Sequence, residues 1–297
     1  MASWEGKSRG SVLGYRIFVW SIMHLGLDFA YFLLLFVSAY FVFASKKAFR
    51  SIYYYFHVRL EQNRIRSIIS IFRNYYLLGQ GLIDRTAILS GLKDKFNFIL
   101  EGKEDLLQMH DGGILISGHI GNWEAGGKAL DFLDKKINLV VLDAEAQAIK
   151  AYISNIITNQ NVNFIKIGDD YSHLFEIKQA LANNELVAFL GDRFIAGNQT
   201  IKIDFLGEPA LFPLGPWQMA SYFNVPVSYV FSVKESRKQY RFYATPLKRV
   251  PYVKNPMERS ELVGTFVREF VSEFERITRL YPLQWHNYFN FWKEQGN

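Results

Sequence analysis

ILISGHIGNWEAGG, residues 114–127, is the stretch on which the fold turns. Its first four residues form a short apolar run ending at Ser117, consistent with a buried strand. Gly118 and Gly121 then bracket His119, and Asn122 suits the N-cap of a following helix. The expected unit is strand, glycine turn, helix, with Glu124 in the first turn of that helix. In open α/β sheets ligands bind beyond the carboxyl ends of the strands, and His119 falls at such an end.

The same alternation continues outward from this stretch. A helix is expected from Asn122 to Leu133, then a strand at INLVVL (137–142). A helix from Glu145 to Thr158 and the strand NFIKI (163–167) follow, then a helix from His173 to Ala182 and ELVAFLGDR (185–193). PVSYVFSV (226–233) and QYRFYATPL (239–247) read as further strands. Arg259 to Arg279 reads as a closing helix with Leu262, Phe266, Phe270, Phe274 and Ile277 on its inner face. Strands alternating with helices predict an α/β domain with a mostly parallel sheet flanked by helices.

Upstream the grammar differs. Residues 17–44, IFVWSIMHLGLDFAYFLLLFVSAYFVFA, exceed the roughly 20 apolar residues that a membrane helix needs, with Asp28 the one full charge. Its insertion costs roughly 2.5–3.5 kcal/mol, and His24, four residues earlier, falls on the same helical face and could pair with it. The run is too long for a cleaved signal peptide, and no small-residue cleavage site follows it. Lys46, Lys47, Arg50 and Arg59 after it outweigh Lys7, Arg9 and Arg16 before it, favouring a cytoplasmic C-terminal body. The division is therefore a tail (1–16), an anchor helix (17–44) and a catalytic domain (45–297). A kink near Gly26 and Asp28, laying two half-helices in the interface, is the alternative to a span. Ser51 to Leu78 reads as one helix with Ile65, Ile68, Ile69, Phe72 and Tyr76 on one face and Arg64, Arg66 and Arg73 interleaved. That face suits either a membrane surface or the core.

Composition agrees with a lipid-facing protein: 49% of the 297 residues are hydrophobic, and 26 Phe and 17 Tyr raise the aromatic share to 16%. A net charge of +6 suits anionic partners. The absence of cysteine excludes disulfides, thiolate nucleophiles and cysteine-based zinc sites. His24, His57, His110, His173 and His286 lack metal-ligand spacing, so no metal site is expected. His110–Asp111 reads as a turn. There is no G-x-S-x-G elbow, P-loop or nucleic-acid motif, and no nucleic-acid partner is expected.

His119 and Glu124 carry the chemistry. Five residues along a continuous helix would set them roughly 140° apart, whereas a turn at Gly121 lets the carboxylate reach the imidazole. A carboxylate on one ring nitrogen fixes the tautomer and leaves the other as a general base. Without an activated Ser or Cys, the nucleophile belongs to the substrate: a hydroxyl or amine that attacks an acyl thioester.

These residues resemble a known family. SGHIGNWE (117–124) resembles the first block of the lysophospholipid acyltransferase-like superfamily, marked by H-x4-D/E. More narrowly it is similar to the late acyltransferases of bacterial lipid A biosynthesis, the lauroyl and myristoyl acyltransferases. GDR (191–193) and IDFLGEPALFPLGPWQMA (203–220) resemble the second and third blocks, and an N-terminal membrane helix also fits. The resemblance implies a glycerolipid-acyltransferase-like fold and transfer of a fatty acyl group from acyl carrier protein to a lipid acceptor. It implies a place at the bacterial inner membrane, single-pass or monotopic, with the catalytic domain facing the cytoplasm. No cofactor is implied beyond the carrier thioester as co-substrate. His119 would be the base and Glu124 its orienter, with Asn122 and Trp123 shaping the pocket. Arg193 would contact a phosphate of acceptor or carrier, Asp192 beside it also reading as its strand-end ion partner. Gly215, opening a helix with Pro216, reads either as an anion-binding amide or as a plain helix start. One departure stands out: the basic stretch of the family's C-terminal ending is thinned in YPLQWHNYFNFWK to Trp285, His286 and Asn287. That opens a second reading, an acyltransferase for another membrane lipid such as an aminolipid. A third is a catalytically silent, membrane-anchored binding protein.

Overall fold

A computed structural model describes residues 17, 20–22, 24–88, 95–142, 162–167, 172–194 and 197–292, with backbone only for Trp123, Glu124, Lys128 and Leu142. The tail of residues 1–16 and the helix expected over residues 145–158 lie outside the described residues. The chain forms two compact units, one drawn from the chain up to Asn97 and from Tyr281 onward, the other from the chain between Phe98 and Leu280.

In the first unit, α1 (Leu27–Ala44), α2 (Lys46–Tyr54) and α3 (Arg64–Ala87) follow one another. The apolar run 17–44 does not form one straight helix. Gly26 adopts φ 84° and ψ 173°, outside the helical region, and ends the helical turns before it. Gly26 thus interrupts the helical register between His24 and Asp28, and His24 packs on Trp20 at 5.2 Å between ring centroids. α1 alone is long and apolar enough to cross a membrane, with a mean hydropathy of 2.0, and a third of it is buried inside the unit. It packs against α3 at Gly79, where a Cβ would lie 2.3 Å from Leu34 Cδ1. Phe41 stacks on Tyr75, and the Tyr31 hydroxyl donates to the buried Asp84 carboxylate. These pairs fix the two helices as antiparallel.

The helix expected from Ser51 to Leu78 is in fact two. A π-turn over Tyr55–Arg59 leads into a break where Glu61 takes φ 54°. Asn63 then caps α3, its Oδ1 accepting from the Arg66 amide at 2.9 Å. The C-terminal segment closes the unit: Asn74 Nδ2 donates to the carbonyls of Leu283 and Trp285, and Tyr55 packs edge-on against the Trp285 indole.

The second unit is built on a mixed sheet. Its strands are β1 (Asn97–Glu101), β2 (Gly113–Ser117), β3 (Ile137–Leu142), β4 (Val162–Ile167), β5 (Leu186–Leu190), β8 (Pro226–Lys234), β9 (Gln239–Ala244) and β10 (Lys248–Arg249). Among the described residues the order is β1-β9-β8-β2-β5-β3-β4, with β10 on β8. β8, β2, β5, β3 and β4 run parallel, while β9 and β10 pair with β8 antiparallel. The expected α/β fold with a mostly parallel sheet is the one observed. The helices are α4 (Lys103–Leu107), α5 (Trp123–Ala129), α6 (Ser172–Ala182), α7 (Gly215–Phe223) and α8 (Pro256–Leu280). Between α6 and α7 lies a hairpin, β6 (Thr200–Phe205) and β7 (Glu208–Pro213), that was not expected from sequence.

Burial on both faces explains why β2 reads as an unbroken apolar run. Leu115 points into a cluster with Leu106, Leu130, Val230 and Phe242 on one side. On the other, Ile116 faces the tight packing of Trp217 and Phe270 around Gly191. There Phe205, Phe231, Phe270 and Phe274 stack in sequence, with centroid spacings from 5.1 to 6.2 Å. Phe270, Phe274 and Ile277 of α8 are buried as expected, while Leu262 and Phe266 are half-buried.

Candidate active site

β2 and β5 are neighbours in parallel register, with Ser117 opposite Leu190. Two residues past each strand end stand His119 and Asp192, so the register brings together side chains 73 positions apart in sequence. This is the carboxyl edge of the parallel strands, where α/β sheets place their ligands.

The loop that carries His119 is held from both sides. The Gly191 amide donates to Ser117 O at 2.7 Å, and the Asn122 amide donates to Ser232 O at 2.8 Å. Gly121 bridges to Ser232 on β8 with φ 67°, and a Cβ there would lie 2.0 Å from the Ser232 carbonyl oxygen. Only glycine fits that left-handed, crowded position. The turn expected at Gly121 is present, and α5 begins directly after it. Asn122 is the cap expected from sequence: its Oδ1 accepts from the Ala125 amide at 3.1 Å and its Nδ2 donates to the Tyr240 hydroxyl at 3.3 Å. Its side chain is thus engaged in holding the helix start.

A single carboxylate oxygen, Oδ1 of Asp192, receives both the backbone amide of His119 at 3.1 Å and the ring nitrogen Nδ1 at 2.7 Å. Asp192 is 1% exposed, whereas the His119 side chain keeps 19% of its surface open. An acceptor-only carboxylate at Nδ1 places the ring proton there and leaves Nε2 as the unprotonated ring nitrogen. Burial alone would raise the Asp192 pKa, but the charge and hydrogen bonds of His119 and the charge of Arg193 outweigh it and hold the group at about 2. Burial, then the Arg193 charge, push His119 below its ordinary value, against the opposing pull of Asp192. Burial and the Arg193 charge thus shift His119 toward its neutral form, while Asp192 is shifted toward its ionised one.

Of the residues singled out from sequence, the structure brings His119, Asp192 and Arg193 together. Glu124 lies in the first turn of α5, and its side chain, like that of Trp123, is outside the described residues. Gly215 opens α7 with open space beside its Cα, and Pro216 and Trp217 behind it are buried. Trp285, His286 and Asn287 are buried in the first unit instead of being displayed. The contact that sequence reasoning missed is Asp192 on His119, because GDR was read toward substrate phosphate. The local signal was a Gly-Asp directly after a strand, and only the pairing of that strand with β2 turns it toward the histidine. Among the described residues no cluster of His, Asp and Glu is arranged to hold a metal ion.

No curated protein is significantly similar to the chain. Among solved structures it is similar to the 1-acyl-sn-glycerophosphate (LPA) acyltransferase PlsC from Thermotoga maritima, at 14% identity and a TM-score of 0.37, covering 84% of this chain and 98% of that one. The family model for bacterial lipid A biosynthesis acyltransferases matches residues 9–294. Matched over nearly its whole length, the chain belongs to the bacterial lipid A biosynthesis acyltransferase family.

Proposed function

We propose that this acyltransferase moves a fatty acyl group from an acyl carrier protein thioester to a hydroxyl of a lipid A precursor at the bacterial inner membrane, with His119 as general base. The observation that supports this reading best is the 2.7 Å contact between His119 Nδ1 and the buried Asp192 carboxylate. With Nδ1–H donated to Asp192, Nε2 takes the proton of the acceptor hydroxyl as its oxygen attacks the thioester carbonyl. The new C–O bond forms, the C–S bond breaks, and the imidazolium returns its proton to the departing thiolate. Asp192 stabilises the transient imidazolium and holds the ring in one tautomer, a role of the kind a buried carboxylate plays in acyl-transfer triads. Positioned acid–base catalysis of this kind contributes roughly 10²–10⁴-fold.

Glu124 is proposed as a second carboxylate of the site, in the first turn of the helix that follows His119. Arg193, close enough to depress the His119 pKa, has the charge and planarity for a phosphate of donor or acceptor. Anchoring is assigned to the apolar helix Leu27–Ala44.

Lipid mass spectrometry tests the acceptor. Membranes from a deletion strain should hold a lipid A one acyl chain short, restored by the wild-type gene and not by His119→Ala. A normal lipid A beside an altered aminolipid would move the acceptor to the other lipid. Restoration by His119→Ala would remove the histidine from the chemistry.

A further inference from the structure

The first half of α3 is built inside out. Ile65, Ile68 and Ile69 are 74%, 50% and 53% exposed, and Phe72 and Tyr76 on the same stripe are half-buried and stacked on each other. The buried side of that segment is largely polar. Ser67 donates to the Asn63 carbonyl at 2.9 Å and Ser70 to Gln62 Oε1 at 2.8 Å. Asn74 is held between Leu283, Trp285 and Tyr288. A water-facing helix places these residues the other way round.

Charge follows the apolar stripe. With 3.6 residues per turn, Arg64 falls on one side of it and Arg66 and Arg73 on the other, and all three are exposed. No Asp or Glu occurs between Glu61 and Asp84. From Asn74 to Ile88 the one exposed residue is Leu82. Because α1 and α3 run antiparallel, the end of α1 approaches this basic half of α3, and exposed Lys46, Lys47 and Arg50 follow it. Along α1 itself Phe32, Phe36, Tyr40 and Phe43 face outward. The helix pair thus has a long apolar surface that gives way at one end to isoleucines flanked by cations.

From this geometry we infer that the α3 segment Arg64–Tyr76 is a second lipid contact, lying in the headgroup layer of an anionic membrane. Ile65, Ile68 and Ile69 enter the acyl boundary while Arg64, Arg66 and Arg73 meet lipid phosphates. Apolar residues flanked by arginine suit that boundary because the stripe loses water contact while the guanidiniums stay among anions. A protein partner would satisfy the isoleucines equally. The run of cations without a single acid, continuous with the apolar face of α1, favours the lipid surface. This contact is additional to α1 and does not depend on the reaction chemistry proposed above.

The natural absence of cysteine makes the test direct. Full-length Ile68→Cys and, as a control on an exposed turn of the second unit, Ser236→Cys are labelled with an environment-sensitive fluorophore. Each is reconstituted into vesicles of phosphatidylethanolamine and phosphatidylglycerol, with circular dichroism confirming the fold. Headgroup-level spin-labelled lipid should quench position 68 several-fold more than position 236, and iodide in the water should do the reverse. Replacing Arg64, Arg66 and Arg73 with Gln should bring the two positions closer. Equal access of iodide to both positions would overturn the inference. So would protection of position 68 in detergent that grows with protein concentration, since that marks a second copy as the occupant. Identical quenching in pure phosphatidylcholine would overturn the anionic preference.

Discussion

At Asp192 one carboxylate oxygen serves two donors of a single residue, the amide and the ring of His119. The ring cannot rotate without losing a charge-assisted bond in a buried place. Asp192→Asn should therefore lower acyl transfer by roughly 10²–10⁴-fold with little change in Km, since the imidazole loses its fixed tautomer and its counter-charge; steady-state kinetics on the purified protein checks this. Burial, and after it the neighbouring charge of Arg193, act in the opposite sense, holding His119 below its usual value. The acid limb of kcat/KM should accordingly lie below pH 6.5, and Arg193→Gln, by removing a like charge, should move it upward. Stability carries its own signature. Asp192 sits at about 2 against an ordinary 3.8, so its ionised form contributes roughly 2 kcal/mol. That contribution is complete above about pH 4 and is lost as pH falls toward 2, and a thermal-unfolding series across that range should show the loss in wild type and not in Asp192→Asn. The placement of His119 beyond a strand end was legible from sequence because glycines, a cap and a strand surround it within a few positions. Its partner was not, because only the register of β2 on β5 makes Asp192 its neighbour.

Elements whose signals are local are legible: β2, β3, β4 and β8 stand within a residue or two of the expected strands, and Gly121 breaks the chain where the turn is expected. Gly121→Ala should cost about 1–3 kcal/mol and displace His119, because the new methyl would collide with the Ser232 carbonyl; the thermal midpoint and the transfer rate should fall together. Asn63→Ala, which removes the cap of α3, should cost about 1 kcal/mol by the same thermal measure and leave the transfer rate unchanged. The β6–β7 hairpin escaped the sequence reading because Pro209 and Pro213 lie in it and its turn, Leu206–Gly207, puts a leucine at φ 53°. That leucine is stabilised from a distance, by Glu275 accepting from its amide at 2.7 Å. For α3 the helical period was right and the outward side was open. Periodicity identifies a stripe but not what it faces, and here the serines and Asn74 face inward because partners from the C-terminal segment and the helix start satisfy them.

The N-terminal apolar run reads in sequence as an anchor helix (17–44) ahead of a catalytic domain (45–297), and α1 is woven into its unit through Leu34 at Gly79 and Tyr31 at Asp84. Removing residues up to Ser45 should therefore yield a chain that aggregates on size-exclusion chromatography instead of a soluble enzyme, because it uncovers the α1-facing side of α3 and strips Asp84 of a buried donor. Family membership makes the molecule an acyltransferase, and the mechanism proposed above runs through one histidine and one buried carboxylate. The most direct test is acyl transfer from acyl carrier protein thioester to a lipid A precursor by the purified full-length protein, with wild type, His119→Ala and Asp192→Asn compared at equal fold by circular dichroism. The account predicts transfer by wild type and a loss of roughly 100-fold or more in both variants. Transfer at the wild-type rate by either folded variant would contradict it.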